Sequence, residues 1–251
     1  MRVFLSLALG LFLFSCSDSE MTTESSPSKP IHTLIFMDKT SSVDVSKPFV
    51  AQKYQQLLKQ VVDENIQQAG DQIDIYFVHE NTAKGKSVSL TSRTEKEDTQ
   101  GMNATDLEAA QTSYEMTLQK EKNIFIRQCL AQLNKKNGGS SNAETDLKAA
   151  IPILSEAAAN GSEVKAYFLS DMVQSQKNGR DFHKNAPTSS DQANQWAEED
   201  LSQFKEANLL NCDIQMVLPF EPTSSSSVNN PNITVYWQTL LGNLGAGVSE
   251  L

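Results

Sequence analysis

The chain has 251 residues, 39% of them apolar, and its 31 acidic side chains outnumber 21 basic ones for a formal net charge of −10. That length is enough for one large domain. The acidic balance, with no basic stripe to neutralise phosphates, excludes a nucleic-acid partner and fits an acidic domain outside the cytoplasm.

The N-terminus carries Arg2, then the apolar run Val3 to Phe14, and stops at Ser15-Cys16. Such a run is too short to span a bilayer but has the charged start, apolar middle and small-residue exit of a secretory signal. Leu13-Phe14-Ser15-Cys16 resembles the lipobox of bacterial lipoproteins, which implies a signal peptide over residues 1–15 and a lipidated Cys16 as first mature residue. Each buried methylene of an acyl chain such as palmitate contributes about 0.8 kcal/mol, so several chains hold a soluble domain on a membrane. An ordinary cleaved signal with an incidental cysteine is the other reading. The following Ser17-Asp18-Ser19-Glu20 resembles the tether of surface-directed lipoproteins in Gram-negative bacteria. It implies a place in the cell envelope, anchored to the outer membrane. Residues 16–30 offer almost nothing to bury and read as a flexible spacer.

Four apolar runs follow with β character: Ile31 to Met37, Ile73 to Val78, Val164 to Leu169 and Ile214 to Leu218. They are apolar at most positions rather than alternating, as strands buried on both faces of a mostly parallel sheet are. Ser87 to Leu90 reads as an antiparallel edge strand behind a turn at Gly85. Between the runs lie helical stripes: Val50 to Ile66 with Gly70 as stop, Leu147 to Ala158 with Pro152 as a kink point, Trp196 to Phe204 opened by Ser190-Asp191, and Trp237 to Leu244 behind Asn230-Pro231. The alternation predicts an α/β domain over residues 31–247 with helices on both faces of a Rossmann-like sheet. Residues 92–123 are polar and break it, although Leu107, Ala110, Tyr114 and Leu118 make a weak helical stripe; they read as a surface insertion leading into a helix that ends near Asn137-Gly138-Gly139. Cys129 and Cys212 leave two readings open, one disulfide or two separate buried thiols.

Chemistry concentrates at strand ends. Asp38, Thr40 and Ser42 follow the first run, Asp171 follows Leu169-Ser170, and Thr145 precedes the helical stripe that starts at Leu147. A parallel sheet brings its carboxyl ends to one edge, where ligands bind. Two acids and three hydroxyls are hard oxygen donors suited to Mg²⁺ or a similar cation.

In this order the residues resemble the metal-ion-dependent adhesion site of von Willebrand factor type A domains. That family carries Asp-x-Ser-x-Ser after its first strand, a Thr in a later loop and an Asp after its fourth strand. The resemblance implies a non-catalytic domain in which Thr40, Ser42 and Thr145 bind the cation through hydroxyls, with Asp38 and Asp171 acting directly or through water. The cation, Mg²⁺ or else Mn²⁺ or Ca²⁺, would then attract a carboxylate from a protein or other acidic ligand. The chain departs from the pattern with Thr40 for the usual Ser, and with Ser41, Glu144 and Met172 where glycine is common. Glycine permits backbone angles that other residues resist, so these departures bear on loop geometry.

Other readings exist for the same residues. Asp, Ser and Thr after a strand are also ordinary turn and cap residues. A scaffold that keeps the fold without using a metal is one alternative. Another is a hydrolase resembling haloacid dehalogenase phosphatases, with Asp38 as nucleophile, although that chemistry needs a second acid where Thr40 stands. The Gly-x-Ser-x-Gly elbow of serine hydrolases is absent, and His32, His79 and His183 lack metal-ligand spacing. The loop from Val173 to Ser190 carries Lys177, Arg180 and Lys184 against Asp181, a basic rim that would favour an acidic partner, and the loop from Pro219 to Asn230 belongs to the same edge. Mass spectrometry of the mature protein is expected to find acylated Cys16 as its first residue; an unmodified chain, or one starting elsewhere, ends the lipoprotein reading.

Overall fold

The computed structural model describes residues 29–136 and 144–251. The signal, Cys16, most of the spacer and Asn137-Gly138-Gly139 lie outside these residues. In chain order the elements are β1 (Ile31–Asp38), α1 (Pro48–Asn65), β2 (Gln72–Val78), β3 (Lys86–Thr91), α2 (Ala104–Asn134), α3 (Ala150–Ala159), β4 (Glu163–Leu169), α4 (Ser190–Leu201), β5 (Cys212–Val217), α5 (Pro231–Asn243) and β6 (Gly247–Glu250).

One six-stranded sheet runs in the order β3-β2-β1-β4-β5-β6. Every pairing is parallel except that of β3 with β2, as expected for an antiparallel edge. The turn before β3 needs Gly85, because a Cβ there would collide with the backbone carbonyl oxygen of Phe77 in β2. At the centre, successive β1 side chains serve opposite cores. Leu34 and Phe36 join the cluster under α3, α4 and α5, whereas Ile35 and Met37 join the one under α1 and α2. This double burial is why the strand reads as a continuous apolar run, each large side chain such as Ile35 contributing about 2 kcal/mol.

Helix ends follow local chemistry. Asn230 caps α5 by accepting from Asn232 N, with Pro231 in the first turn, and Ser189 rather than Ser190 caps α4 through Gln192 N. The stripe from Leu147 starts its helix only at Ala150, so Pro152 falls in the first turn, where its missing N–H costs nothing, and no kink results.

Two expectations need correction, and a third point that the sequence leaves open is decided. The stretch 92–123 is not an inserted surface piece throughout. From Ala104 it is the first part of the 31-residue α2, whose Tyr114, Leu118 and Phe125 pack with α1 while Tyr114 Oη donates to Gln67 O at 2.6 Å. Only every third or fourth side chain of α2 is buried, which makes the sequence look polar. Second, β6 extends the sheet beyond residue 247; its short, mostly exposed run carries no burial pattern. Third, Cys129 and Cys212 are free thiols. They belong to the two different clusters and so lie on opposite faces of the sheet. Burial pushes them up to about 12 and about 11 respectively, which keeps both protonated and inert. Alkylation at pH 7.5 should therefore leave Cys129 and Cys212 unlabelled in the native protein and label both in denaturant, whereas a disulfide-linked peptide would contradict this packing.

Candidate functional site

The strand order reverses between β1 and β4: the chain passes from β1 outward to β2 and β3, and later from β4 outward to β5 and β6. Ligands of open α/β sheets bind in the crevice outside the carboxyl ends at such a point. Here those two ends carry Asp38, the last residue of β1, and Ser170-Asp171, directly after β4.

The loop after β1 folds around Asp38. Its Oδ1 accepts from Thr40 N at 2.9 Å and from Thr40 Oγ1 at 2.6 Å, and its Oδ2 accepts from Ser170 Oγ at 2.7 Å. Thr40 Oγ1 stands 3.2 Å from Ser42 Oγ. With its proton committed to Asp38, Thr40 keeps oxygen lone pairs for another donor or a cation. Asp171 accepts from Val173 N at 3.0 Å and from the Ser42 hydroxyl. Ser42 therefore links the acid after β4 to the hydroxyl pair after β1. Ser41 is exposed and takes no part.

Thr145 comes to the same edge from a distant part of the chain. It is buried, and its N–H and C=O exchange hydrogen bonds with Ser175, both at 2.9 Å, in the loop beyond β4. The next amide, Asp146 N, donates to His79 O beyond the end of β2. As β1 lies between β2 and β4, the Thr145 segment is stretched across the end of β1 that carries Asp38. Gln174, fully buried, completes the join: its Oε1 accepts from Leu147 N at 2.8 Å and Lys148 N at 3.3 Å, satisfying amides at the start of α3 that no helical carbonyl reaches.

Sequence reasoning passed over Ser170, Gln174, Ser175 and Asp200. Asp200 Oδ2 receives Arg180 Nε at 2.6 Å, Lys148 Nζ at 2.8 Å and Tyr236 Oη at 2.7 Å. One carboxylate thus ties the Thr145 segment, through Lys148, to the loop after Asp171, through Arg180. Arg180 also pairs with Glu199, and Lys184 with Asp181 at 2.8 Å. The expected basic rim is thereby largely neutralised within the protein. Its only sequence signal was the cluster of cations in that loop.

Electrostatically the site is a deficit of positive charge. Burial, and next the Asp171 charge, raise Asp38 against the hydrogen bonds of Ser170 and Thr40, leaving it up at about 6. Burial likewise raises Asp171, opposed by Ser42 and Val173. Among the described residues neither acid has an ion pair within 4 Å. Lys39, the neighbour of Asp38, spends its ammonium on the Gln132 and Leu133 carbonyls at the end of α2, at 2.9 and 2.6 Å, and burial pulls it down to about 8. Two buried acids beside the hydroxyls of Thr40, Ser42 and Ser170 fit a hard divalent cation by the chemistry of the donor set. No group of three or more His, Cys, Asp and Glu side chains that could hold a metal ion occurs among the described residues.

The site opens on a cleft of about 940 Å³ lined by Ser42, Asp171, His183, Phe49, Phe220 and Val228. The loop 219–230 forms one wall, as its position in the chain predicts. His183 is exposed and lowers Asp171 by its charge, while His32 pairs with Asp74 at 3.0 Å, far along β1 from the acids.

No protein-family model and no curated protein matches the sequence. Among solved structures the chain is similar to a von Willebrand factor type A protein from Catenulispora acidiphila, at 14% identity and a TM-score of 0.36, over 89% of this chain and 39% of that one. It is also similar to proximal thread matrix protein 1 from the mussel byssus, at 9% identity and 0.35 over 85% and 48% of the two chains. A third is the D319A mutant of the PilB minor pilin from Streptococcus sanguinis, at 8% and 0.37 over 89% and 57%. The chain thus spans well under two thirds of the length of each. The class itself is defined by the sheet: a mixed α/β domain, six strands and mostly parallel, with helices on both faces.

In the metal-free protein a raised Asp38 makes the native state bind more protons than the unfolded chain between pH 3.8 and about 6, so stability falls as pH rises through that window. Asp38→Asn keeps the shape and can offer its amide to Ser170. It is expected to flatten this slope and to raise the metal-free melting temperature at pH 7.5 by about 3 °C or more. A lower melting temperature at that pH would mean that the acid pair carries no electrostatic cost.

Proposed function

We propose that the chain is a lipid-anchored, non-catalytic domain of the von Willebrand factor type A kind that binds a protein or other acidic ligand through a divalent cation. The observation that supports this most is the uncompensated acid pair, Asp38 and Asp171, buried beside the hydroxyls of Thr40 and Ser42 at the switch point of the sheet. Thr40, Ser42 and Thr145 would hold Mg²⁺, or Mn²⁺ or Ca²⁺, through oxygen lone pairs, with Asp38 and Asp171 balancing its charge. When bound, such a cation supplies a hard Lewis acid that prefers oxygen donors, and two carboxylates leave a divalent charge able to attract a third.

Thr40 and Ser170 both direct donors at Asp38, which orients the carboxylate and dampens its nucleophilicity. This favours a binding role over a hydrolase that would use Asp38 in attack. The neutralised rim loop leaves attraction of an acidic ligand to the cation rather than to Arg180 or Lys184. Membrane attachment rests on the Leu13-to-Cys16 pattern, and among the described residues no helix is long and apolar enough to cross a membrane.

Titrating Mg²⁺ or Mn²⁺ into the full-length protein in detergent is expected to raise its melting temperature, since a ligand at 100 times its Kd stabilises the folded state by about 2.7 kcal/mol. Asp38→Ala should abolish the response. No shift in the wild type, or an equal shift in the variant, rejects the cation site in favour of a metal-independent scaffold. Turnover of a generic phosphate ester that Asp38→Ala eliminates would restore the hydrolase.

A further inference from the structure

The two acid-bearing loops meet at a residue that the family resemblance does not assign. Ser170 is fully buried between β4 and Asp171. Its Oγ accepts from Met172 N at 2.9 Å and lies 2.7 Å from Asp38 Oδ2. An amide can only donate and an ionised carboxylate can only accept, so the hydroxyl proton points to Asp38.

We propose that Ser170 is a positioning residue of the cation site, setting the plane of the Asp38 carboxylate; this rests on the cation reading above. The argument is geometric. Rotation about the bond between Cβ and the carboxylate of an aspartate is broad, so hydrogen bonds decide where the two oxygens stand. Thr40 holds Oδ1 with two donors from within the same loop. Those bonds travel with the loop and leave the carboxylate free to pivot around Oδ1. Ser170 holds Oδ2 from the turn that follows the neighbouring strand β4 and removes that freedom.

The same hydroxyl acts on the second acid. Met172 has φ of 60°, the left-handed region that a side chain resists, and its amide is tied back to Ser170. Asp171 sits inside that closed turn, with its carboxylate accepting from Val173 N and the Ser42 hydroxyl. One hydroxyl therefore ties Asp38 to the turn that carries Asp171, across the β1–β4 seam. Removing it releases Asp38 Oδ2 and leaves the Met172 amide without its acceptor. The site would keep all five proposed ligand residues and lose their mutual alignment.

The test compares wild type, Ser170→Ala and Ser170→Thr in the full-length protein in detergent, with Mn²⁺ itself as probe. Calorimetric titration gives Kd, and melting without metal gives stability separately. Ser170→Ala is expected to weaken Mn²⁺ binding at least tenfold, about 1.4 kcal/mol. Ser170→Thr, which keeps the hydroxyl, should lie within threefold of wild type. A merely structural serine would lower the melting temperature of the alanine variant and leave its Kd within threefold of wild type, which overturns the positioning role and leaves the cation reading standing. A threonine variant as weak as the alanine one overturns it as well, because the hydroxyl is then not what matters. A wild type that takes up no Mn²⁺ overturns both.

Discussion

Parallel pairing of β1 with β4 is the constraint on which everything at the site depends. The register sets Met37 against Leu169, so the next residues, Asp38 and Ser170-Asp171, emerge side by side. Two carboxylates are thereby forced together in a place where both faces of the sheet are already closed by helices. The packing that buries the carboxyl-terminal halves of β1 and β4 also strips water from the acids at their ends. Fold stability and charge frustration come from the same seam.

The protein meets that frustration with donors instead of cations. Thr40 and Ser170 surround Asp38, and Ser42 and Val173 serve Asp171. Positive side chains nearby are engaged elsewhere, Lys39 on the end of α2 and Lys148 and Arg180 on Asp200. Buried charge pairs of the latter kind add little net stability for their cost of desolvation, but they are intolerant of losing one partner. Their effect here is to hold the Thr145 segment and the rim loop in one arrangement. The acids are left as the uncompensated charges at the centre of a braced frame.

Strain is located in the same frame. Met172 adopts positive φ, a conformation that favours glycine, and three anchors keep it there: Ser170 on its amide, Trp237 Nε1 on its carbonyl at 2.8 Å, and its own buried side chain in the core. Departure from glycine is thus compensated by tertiary contacts, with conformational strain of order 1 kcal/mol or more offset by packing and hydrogen bonds. Glu144 accepts from Lys177 N at 3.0 Å and adds a further link between the Thr145 segment and the rim loop.

Much of this was legible without a structure. Largely apolar runs in β1, β2, β4 and β5 announced strands buried on both faces, because such strands are apolar at most positions rather than alternating, and oxygen-bearing residues at their ends marked one edge. Asn230-Pro231 announced a helix start for the equally local reason that an uncapped amide needs an oxygen. What remained hidden has a common cause. The depth of α2 in the core, the separation of Cys129 from Cys212 by the sheet and the existence of β6 depend on which surfaces meet, and no local pattern records that. The amino-acid sequence by itself determined most of the elements, the α/β alternation and the oxygen-bearing residues at the strand ends, since propensity and burial pattern act over a few residues. Only the tertiary structure decided that Ser170, Gln174 and Asp200 bind the site loops together and that the rim cations are neutralised, because hydrogen bonds and ion pairs between residues tens of positions apart exist only once the strands have paired.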